Sequence, residues 1–173
     1  MYNCSLIIDC GTPPDCLLIT RRDILVKAAN FCAYQERTHA EVRERLQKWE
    51  VWGDEAEEII TFLITDNFLN EERFAKIFAG SKFRVKQWGR QKIRYELKAR
   101  KLSEYCIKVG MAEIEDDDYL NTLREILEKK KHELRTEKQA LVLKQKLARY
   151  ALGKGFEADL VWEMIGKIMP KKS

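Results

Sequence analysis

Between Pro14 and Pro170 the chain runs 155 residues without a proline. Proline removes a backbone donor and its ring clashes with the preceding helical turn, so a stretch this long without one fits a chain that is helical nearly throughout. Helix starts are marked by Thr38-His-Ala-Glu41 and Thr136-Glu-Lys-Gln139, both of capping-box form, and by Asp54, Asn70, Ser103 and Asp118 standing before periodic segments. Apolar residues then recur at helical spacing: Ile24/Leu25/Ala28/Cys32, Val42/Leu46/Trp49, Ile59/Ile60/Leu63, Phe74/Ile77/Phe78, Ile93/Leu97, Ile107/Met111, Leu120/Leu123/Leu127, Leu143/Leu147/Tyr150 and Val161/Ile165/Ile168. Nine short helices are expected from these nine sets.

The helices group in threes. Aligning Val42-x3-Leu46, Ile93-x3-Leu97 and Leu143-x3-Leu147 gives offsets of 51 and 50 residues, with one helix before and one after each anchor. The expected fold is therefore all-α, with three-helix repeats at 21–69, 70–115 and 116–173. A unit this small buries little surface alone, so neighbours should stack into an elongated, curved array. The competing arrangement is a single bundle whose helices merely share length. Residues 1–20 stand apart. Their two short apolar runs around Gly11-Thr-Pro-Pro-Asp15 suit an N-terminal arm, extended or folded as a hairpin.

Composition excludes several classes. At 173 residues and 45% hydrophobic the chain can build a core, and at 35% charged it does not read as a membrane protein. Five cysteines without a CxxC pair, and only two histidines, do not give the spacing of a zinc site or a disulfide framework. With no basic leader and no long apolar run near Met1, a cytoplasmic location is expected. Catalysis finds little foothold. His39 and His132 read as surface residues, no nucleophile setting or Gly-rich phosphate loop is recognisable, and the acidic run Glu115–Asp118 reads as helix-entrance charge rather than a metal site. The expectation is a protein that is not an enzyme and uses no cofactor or metal.

The net charge of +4 is small but unevenly placed: residues 1–20 carry −2, 21–69 carry −3, 70–113 carry +7 and 114–173 carry +2. Within Lys82–Lys101 nine bases face the single acid Glu96. In a helix starting near Arg90, the residues Arg90, Arg94, Lys98 and Lys101 fall within an arc of about 80° beside the Ile93/Leu97 strip. Such an edge suits phosphate oxygens or a carboxylate-rich protein surface, and Trp88 and Tyr95 nearby can stack or pack. A plain solvated helix is the alternative. It is the better reading for Lys129–Lys131, which Glu125, Glu128 and Glu133 balance. A groove-reading helix-turn-helix is disfavoured, because the basic helix offers only Gln91 of the Asn, Gln and Ser residues that usually accompany base readout.

Four stretches resemble the RecX regulators of the bacterial RecA recombinase: Arg37-Thr-His-Ala-Glu-Val-Arg-Glu-Arg-Leu46, Phe68-Leu-Asn-Glu-Glu-Arg-Phe-Ala75, Trp88-Gly-Arg-Gln-Lys-Ile-Arg-Tyr-Glu-Leu97 and Lys146-Leu-Ala-Arg-Tyr-Ala-Leu-Gly-Lys-Gly-Phe156. The match covers about residues 21–168. It departs from the family at Trp49-Glu-Val-Trp52 and Lys101-Leu-Ser103, where a Lys-Gly pair often follows the second helix of a unit. The resemblance implies tandem three-helix repeats and a regulator that binds the RecA filament, lowering strand exchange, ATP hydrolysis and co-protease activity. On that basis Arg84, Lys86, Arg90, Lys92, Arg94, Lys98, Arg100 and Lys101 form the expected contact surface for RecA or, non-specifically, for DNA, with Arg43 and Arg45 as weaker candidates. Phe74, Ile93, Leu97 and Leu147 are expected in the core, and the protein is expected to act as a monomer away from membranes. The alternatives are a non-specific DNA-binding protein and a helical scaffold unrelated to recombination.

Overall fold

The computed structural model describes residues 21–170. The arm expected at 1–20 lies outside the described residues. These form nine α-helices: α1 (Arg21–Tyr34), α2 (His39–Lys48), α3 (Gly53–Thr65), α4 (Glu71–Lys86), α5 (Arg90–Ala99), α6 (Glu104–Met111), α7 (Asp116–Glu133), α8 (Ala140–Gly153) and α9 (Ala158–Ile168). Three consecutive three-helix units result, as the periodicity predicts.

Most helix starts follow from local chemistry. Thr38 and Glu41 close a full capping box on α2, while Asn70 and Ser103 accept from Arg73 N–H and Cys106 N–H at the starts of α4 and α6. Two of the other signals sit one or two residues inside their helices: Asp54 and Asp118 lie in the first turns of α3 and α7. There their carboxylates face the positive end of the macrodipole without capping it. Thr136 caps nothing. The chain stays in a turn after α7, and α8 begins at Ala140 behind Gln139, which makes no side-chain cap.

The middle helix of each unit ends in the same way. Glu50, Lys101 and Gly155 adopt left-handed backbone with φ of 61°, 63° and 89°. The next residue turns its N–H back onto the helix: Val51 to the Leu46 carbonyl, Leu102 to Leu97 and Phe156 to Ala151. This is the Schellman closure, in which the residue after the left-handed one drops into the core. Val51, Leu102 and Phe156 are all buried. Only the third unit places a glycine at the left-handed position. The first two use Glu50 and Lys101 where the resembling family often has Gly, and the exit conformation is nevertheless the same. The closures are 51 and 54 residues apart, whereas the starts of α2, α5 and α8 are 51 and 50 apart, so α8 carries one extra turn.

The buried residues form two cores rather than three. Ile24, Ala28, Cys32, Val42, Leu46, Ile59, Ile60 and Leu63 hold the first unit together with Val51, Ala56 and Leu69. A second, continuous core runs through the other two units, from Phe74 and Phe83 through Ile93, Leu97, Tyr119 and Leu123 to Leu147, Phe156 and Ile165. Phe74, Ile93, Leu97 and Leu147 are in this core as expected. Ile77 and Leu120 are not: both are exposed, and the neighbour Tyr119 is buried in the position that the Leu120/Leu123/Leu127 strip assigned to Leu120. Each displacement is a helical rotation of one residue, about 100°.

Units two and three interlock through backbone. Gly89 N–H donates to the Lys154 carbonyl at 2.8 Å and Gln91 N–H to the Gly155 carbonyl at 3.1 Å. A Cβ on Gly89 would stand 2.1 Å from the Gly155 oxygen, and one on Gly155 2.3 Å from Lys92 Cβ. The chains can approach this closely only because neither position has a side chain. Units one and two meet differently, through polar groups: Arg73 Nε to Glu36 Oε1 at 2.6 Å and His39 N–H to Glu71 Oε1 at 3.0 Å. His39 is thus half-buried against Glu71 rather than freely solvated, whereas His132 is exposed.

Candidate functional site

The basic stretch spans the end of α4, the turn at Gln87–Gly89 and all of α5. Its eight candidate residues do not share one surface. Ile93 and Leu97 bury the core strip of α5, and with 100° per residue Arg90, Arg94 and Lys98 fall on one flank while Lys92 and Arg100 fall on the other. The core strip separates them.

On the first flank half of the charge is already used internally. Arg90 donates to Asp116 Oδ1 at 2.6 Å and to the Ile114 carbonyl at 2.7 Å, and its guanidinium lies 4.4 Å from the Tyr119 ring centroid. Tyr119 itself accepts from Arg90 N–H at 3.0 Å and donates to Glu157 at 2.5 Å. Burial, and then the Glu157 carboxylate, hold the Tyr119 phenol well above its ordinary range, so it stays a donor. Arg90 is therefore a strut between the second and third units. Lys98 pairs with Glu104 at 2.6 Å. Arg94 and Lys101 are exposed and have no acidic partner among the described residues. Arg94 lines a concavity of about 430 Å³ with Lys108, Met111 and Asp116. Lys101 and Arg100 line a second one, also about 430 Å³, against α2 residues including Arg43 and Glu44.

The second flank is built on aromatic rings. Lys82 Nζ and Lys92 Nζ lie 5.5 and 4.5 Å from the Trp88 centroid. Lys82 Nζ and the Arg100 guanidinium lie 5.2 and 4.9 Å from that of Phe78. Arg100 also pairs with Glu96 at 3.1 Å. Trp88 and Phe78 are only half-buried, so neither a purely core nor a freely exposed reading of Trp88 holds. Arg84 and Lys86 are exposed at the end of α4, with Arg84 folded back over Gly80. Tyr95 is exposed on α5 and makes no ring contact among the described residues. The weaker candidates are both engaged within the first unit: Arg43 donates to both oxygens of Glu57 at 2.7 and 3.0 Å, and Arg45 lies 4.8 Å from the Phe31 ring.

Two participants were not in the sequence-based set. Lys82 falls within the basic stretch but outside the counted edge, and Lys154 arrives from the third unit, its Nζ donating to the Lys86 carbonyl at 3.2 Å. The Leu-Gly-Lys-Gly-Phe156 stretch was the available signal for Lys154; its glycine contact with Gly89 was not legible from spacing. The acidic run behaves as expected at the start of α7, with Asp116–Asp118 in the first turn. Among the described residues no helix is long and apolar enough to cross a membrane.

Three family models match in order along this architecture: the first three-helix domain of RecX over residues 25–63, the second over 70–110 and the third over 116–165. The Bacillus cytotoxicus regulatory protein RecX is 29% identical over 147 residues, covering 85% of this chain and 54% of the relative. The Clostridium perfringens strain 13 regulatory protein RecX is 32% identical over 124 residues, covering 71% of this chain and 58% of the relative. The chain thus spans somewhat more than half the length of these relatives. A crystal structure of RecX from Lactobacillus salivarius superposes with a TM-score of 0.79 at 20% identity, covering 86% of this chain and 96% of that one, and so shares its fold.

Proposed function

The chain belongs to the RecX family of regulatory proteins, and we propose that it regulates the RecA recombinase by binding its nucleoprotein filament and lowering ATP hydrolysis, strand exchange and co-protease activity. In this reading the protein acts as a monomer in the cytoplasm, without cofactor or catalytic residue. Three short units in series reach more than one filament protomer. The first flank of α5 docks on recombinase carboxylates, and the observation that carries this is the unneutralised pair Arg94 and Lys101, exposed beside inter-unit concavities. Lys98 adds to it when Glu104 is displaced, while Arg90 positions the flank by locking α5 to the start of α7. A cation held on a short, packed helix loses little rotational freedom on docking beyond that of its own side chain.

The test is ATP hydrolysis by cognate RecA on single-stranded DNA with the purified protein added. Inhibition is expected at or below one protein per few filament protomers. The variant Arg94→Glu/Lys101→Glu should need at least about tenfold more protein for the same effect, since truncating well-placed charges commonly costs more than 1.4 kcal/mol. No change in hydrolysis with the unaltered protein at several-fold excess would remove the recombinase reading and favour a scaffold. Inhibition by the variant equal to that of the unaltered protein would remove only the assignment of this flank.

A further inference from the structure

An apolar groove runs between α1 and α3 of the first unit. Each helix lines it with residues at i, i+1 and i+4: Arg21, Arg22 and Leu25 from the start of α1, and Glu58, Ile59 and Phe62 from α3. The concavity holds about 400 Å³. Ile59 is buried, Leu25 is half-buried and Phe62 stays 40% exposed, so a leucine and an aromatic ring are only partly covered beside the smaller of the two cores. Charge stands at the rim. Arg21 pairs with Glu58, and Arg22 is exposed with no acidic partner among the described residues.

The chain supplies an occupant of matching character. The residues before Arg21 read Asp15-Cys-Leu-Leu-Ile-Thr20, an apolar run that ends one residue from the groove, and segment 1–20 carries two acids and no base. Thr20-Arg-Arg-Asp23 has the form of a capping box at the start of α1, with Asp in place of Glu, and Ile19 then stands where a side chain staples to the fourth helical residue, Ile24. That entry sets the chain against the helix pair. At no more than about 3.6 Å per residue, Leu17 reaches about 14 Å from Arg21, enough to cross the roughly 8–10 Å between two packed helices.

We propose that Leu17 and Leu18 dock in this groove against Leu25 and Phe62, so that the chain's own N-terminal segment closes the first unit, with Asp15 turned toward Arg22. The leucines carry the docking, because burying a leucine is strongly favourable whereas an exposed ion pair adds little. The tether decides between the two apolar runs of the segment. A short link keeps Leu17 and Leu18 at high local concentration, and each doubling of its length raises the entropic cost of closure, which disfavours Leu6–Ile8. The groove is thereby completed within one chain and does not serve as the contact for an outside partner.

The experiment is disulfide trapping in the full chain carrying Glu58→Cys, which puts a thiol on the rim of the groove and leaves Leu25, Ile59 and Phe62 in place. Cys4 and Cys10 flank Leu6–Ile8 and Cys16 adjoins Leu17, while Cys32 and Cys106 are buried. After mild oxidation and peptide mass mapping, the introduced thiol is expected to link to Cys16 of the same chain in preference to Cys4 and Cys10. Adding Leu17→Ser/Leu18→Ser should slow that link at least about tenfold, and Phe62→Ser likewise, since re-exposing a buried leucine costs a factor of ten or more. The serine pair alters no residue of the described core, so its effect is not one of unfolding. An equal rate of linking in these variants would mean mere proximity along the chain and would overturn the proposal. A preferred link to Cys4 or Cys10 would overturn it in favour of the other apolar run, and a link between chains that rises with protein concentration in favour of a second copy. So would a thiol that forms no link and becomes shielded from alkylation only when a recombinase filament is added. Trapping is read on the free protein, so it can fail while the regulatory reading stands, and the reverse.

Discussion

At the scale of single residues, the joint between the second and third units depends on atoms that are missing. Gly155 is left-handed and its absent Cβ is the space that Lys92 occupies, while Gly89 lies against the Gly155 carbonyl. Gly155→Ala should therefore cost about 2–4 kcal/mol, from backbone strain and overpacking together. Gly153→Ala is the control, since nothing lies within 4 Å of a Cβ there and alanine favours helix. Urea denaturation of both variants checks this; equal midpoints would show that the joint yields without cost. Tyr119 and Arg90 work at the same joint, the phenol linking Glu157 to the start of α5 and the guanidinium closing over it. Arg90 shows why a basic residue on a charged edge need not be a contact: its partners are on its own chain.

At the scale of elements, the three matching helix exits are the clearest repeat in the structure. The left-handed position costs an ordinary residue about 1–2 kcal/mol, and glycine avoids that cost. Glu50 and Lys101 bear it in the first two units, and only Gly155 escapes it. Glu50→Gly should raise stability by about 1 kcal/mol and the melting temperature by a few degrees, since Glu50 is exposed and its N–H bond to the Gln47 carbonyl survives the change. Thermal denaturation decides it, and a lowered melting temperature would mean that the Glu50 side chain contributes more than the strain removes. The capping motifs separate in the same physical way. Thr38-x-x-Glu41 caps α2 because the chain enters the helix there, and Thr136-x-x-Gln139 does not cap α8 because the turn after α7 has not yet ended.

At the scale of the whole molecule, two cores imply two cooperative bodies. The second and third units share Phe83, Tyr119 and Phe156, whose rings follow one another at 5.9 and 4.9 Å. The first unit is joined to them by ion pairs and single hydrogen bonds at Glu36, His39, Glu71 and Arg73. Partly exposed ion pairs contribute little and weaken with salt, whereas burial of a continuous apolar core contributes at about 25 cal/mol per Å². Hydrogen exchange should therefore show residues 21–65 opening as one group, more readily in high salt, and residues 71–168 opening as another. A single exchange free energy common to all nine helices would contradict this. Opening at the first joint changes the distance between the first unit and both basic faces, and so bears on how the chain can lie along an extended partner.

The all-helical class, the nine helices and their grouping in threes follow from local information: no proline over 155 residues, apolar spacing of 3.6 and capping residues at element starts. Local chemistry acts within a turn or two, so it is written in neighbouring residues. The core residues Phe74, Ile93, Leu97 and Leu147 were legible for that reason, and so was the excess of charge around α5. How that charge is divided was not. Whether a cation is free depends on which residues from distant positions stand beside it: Asp116 beside Arg90, Glu104 beside Lys98, Lys154 beside Lys86. Those meetings are set by packing of the second unit on the third through two glycines and a buried tyrosine, and the spacing of residues along one helix carries no record of them.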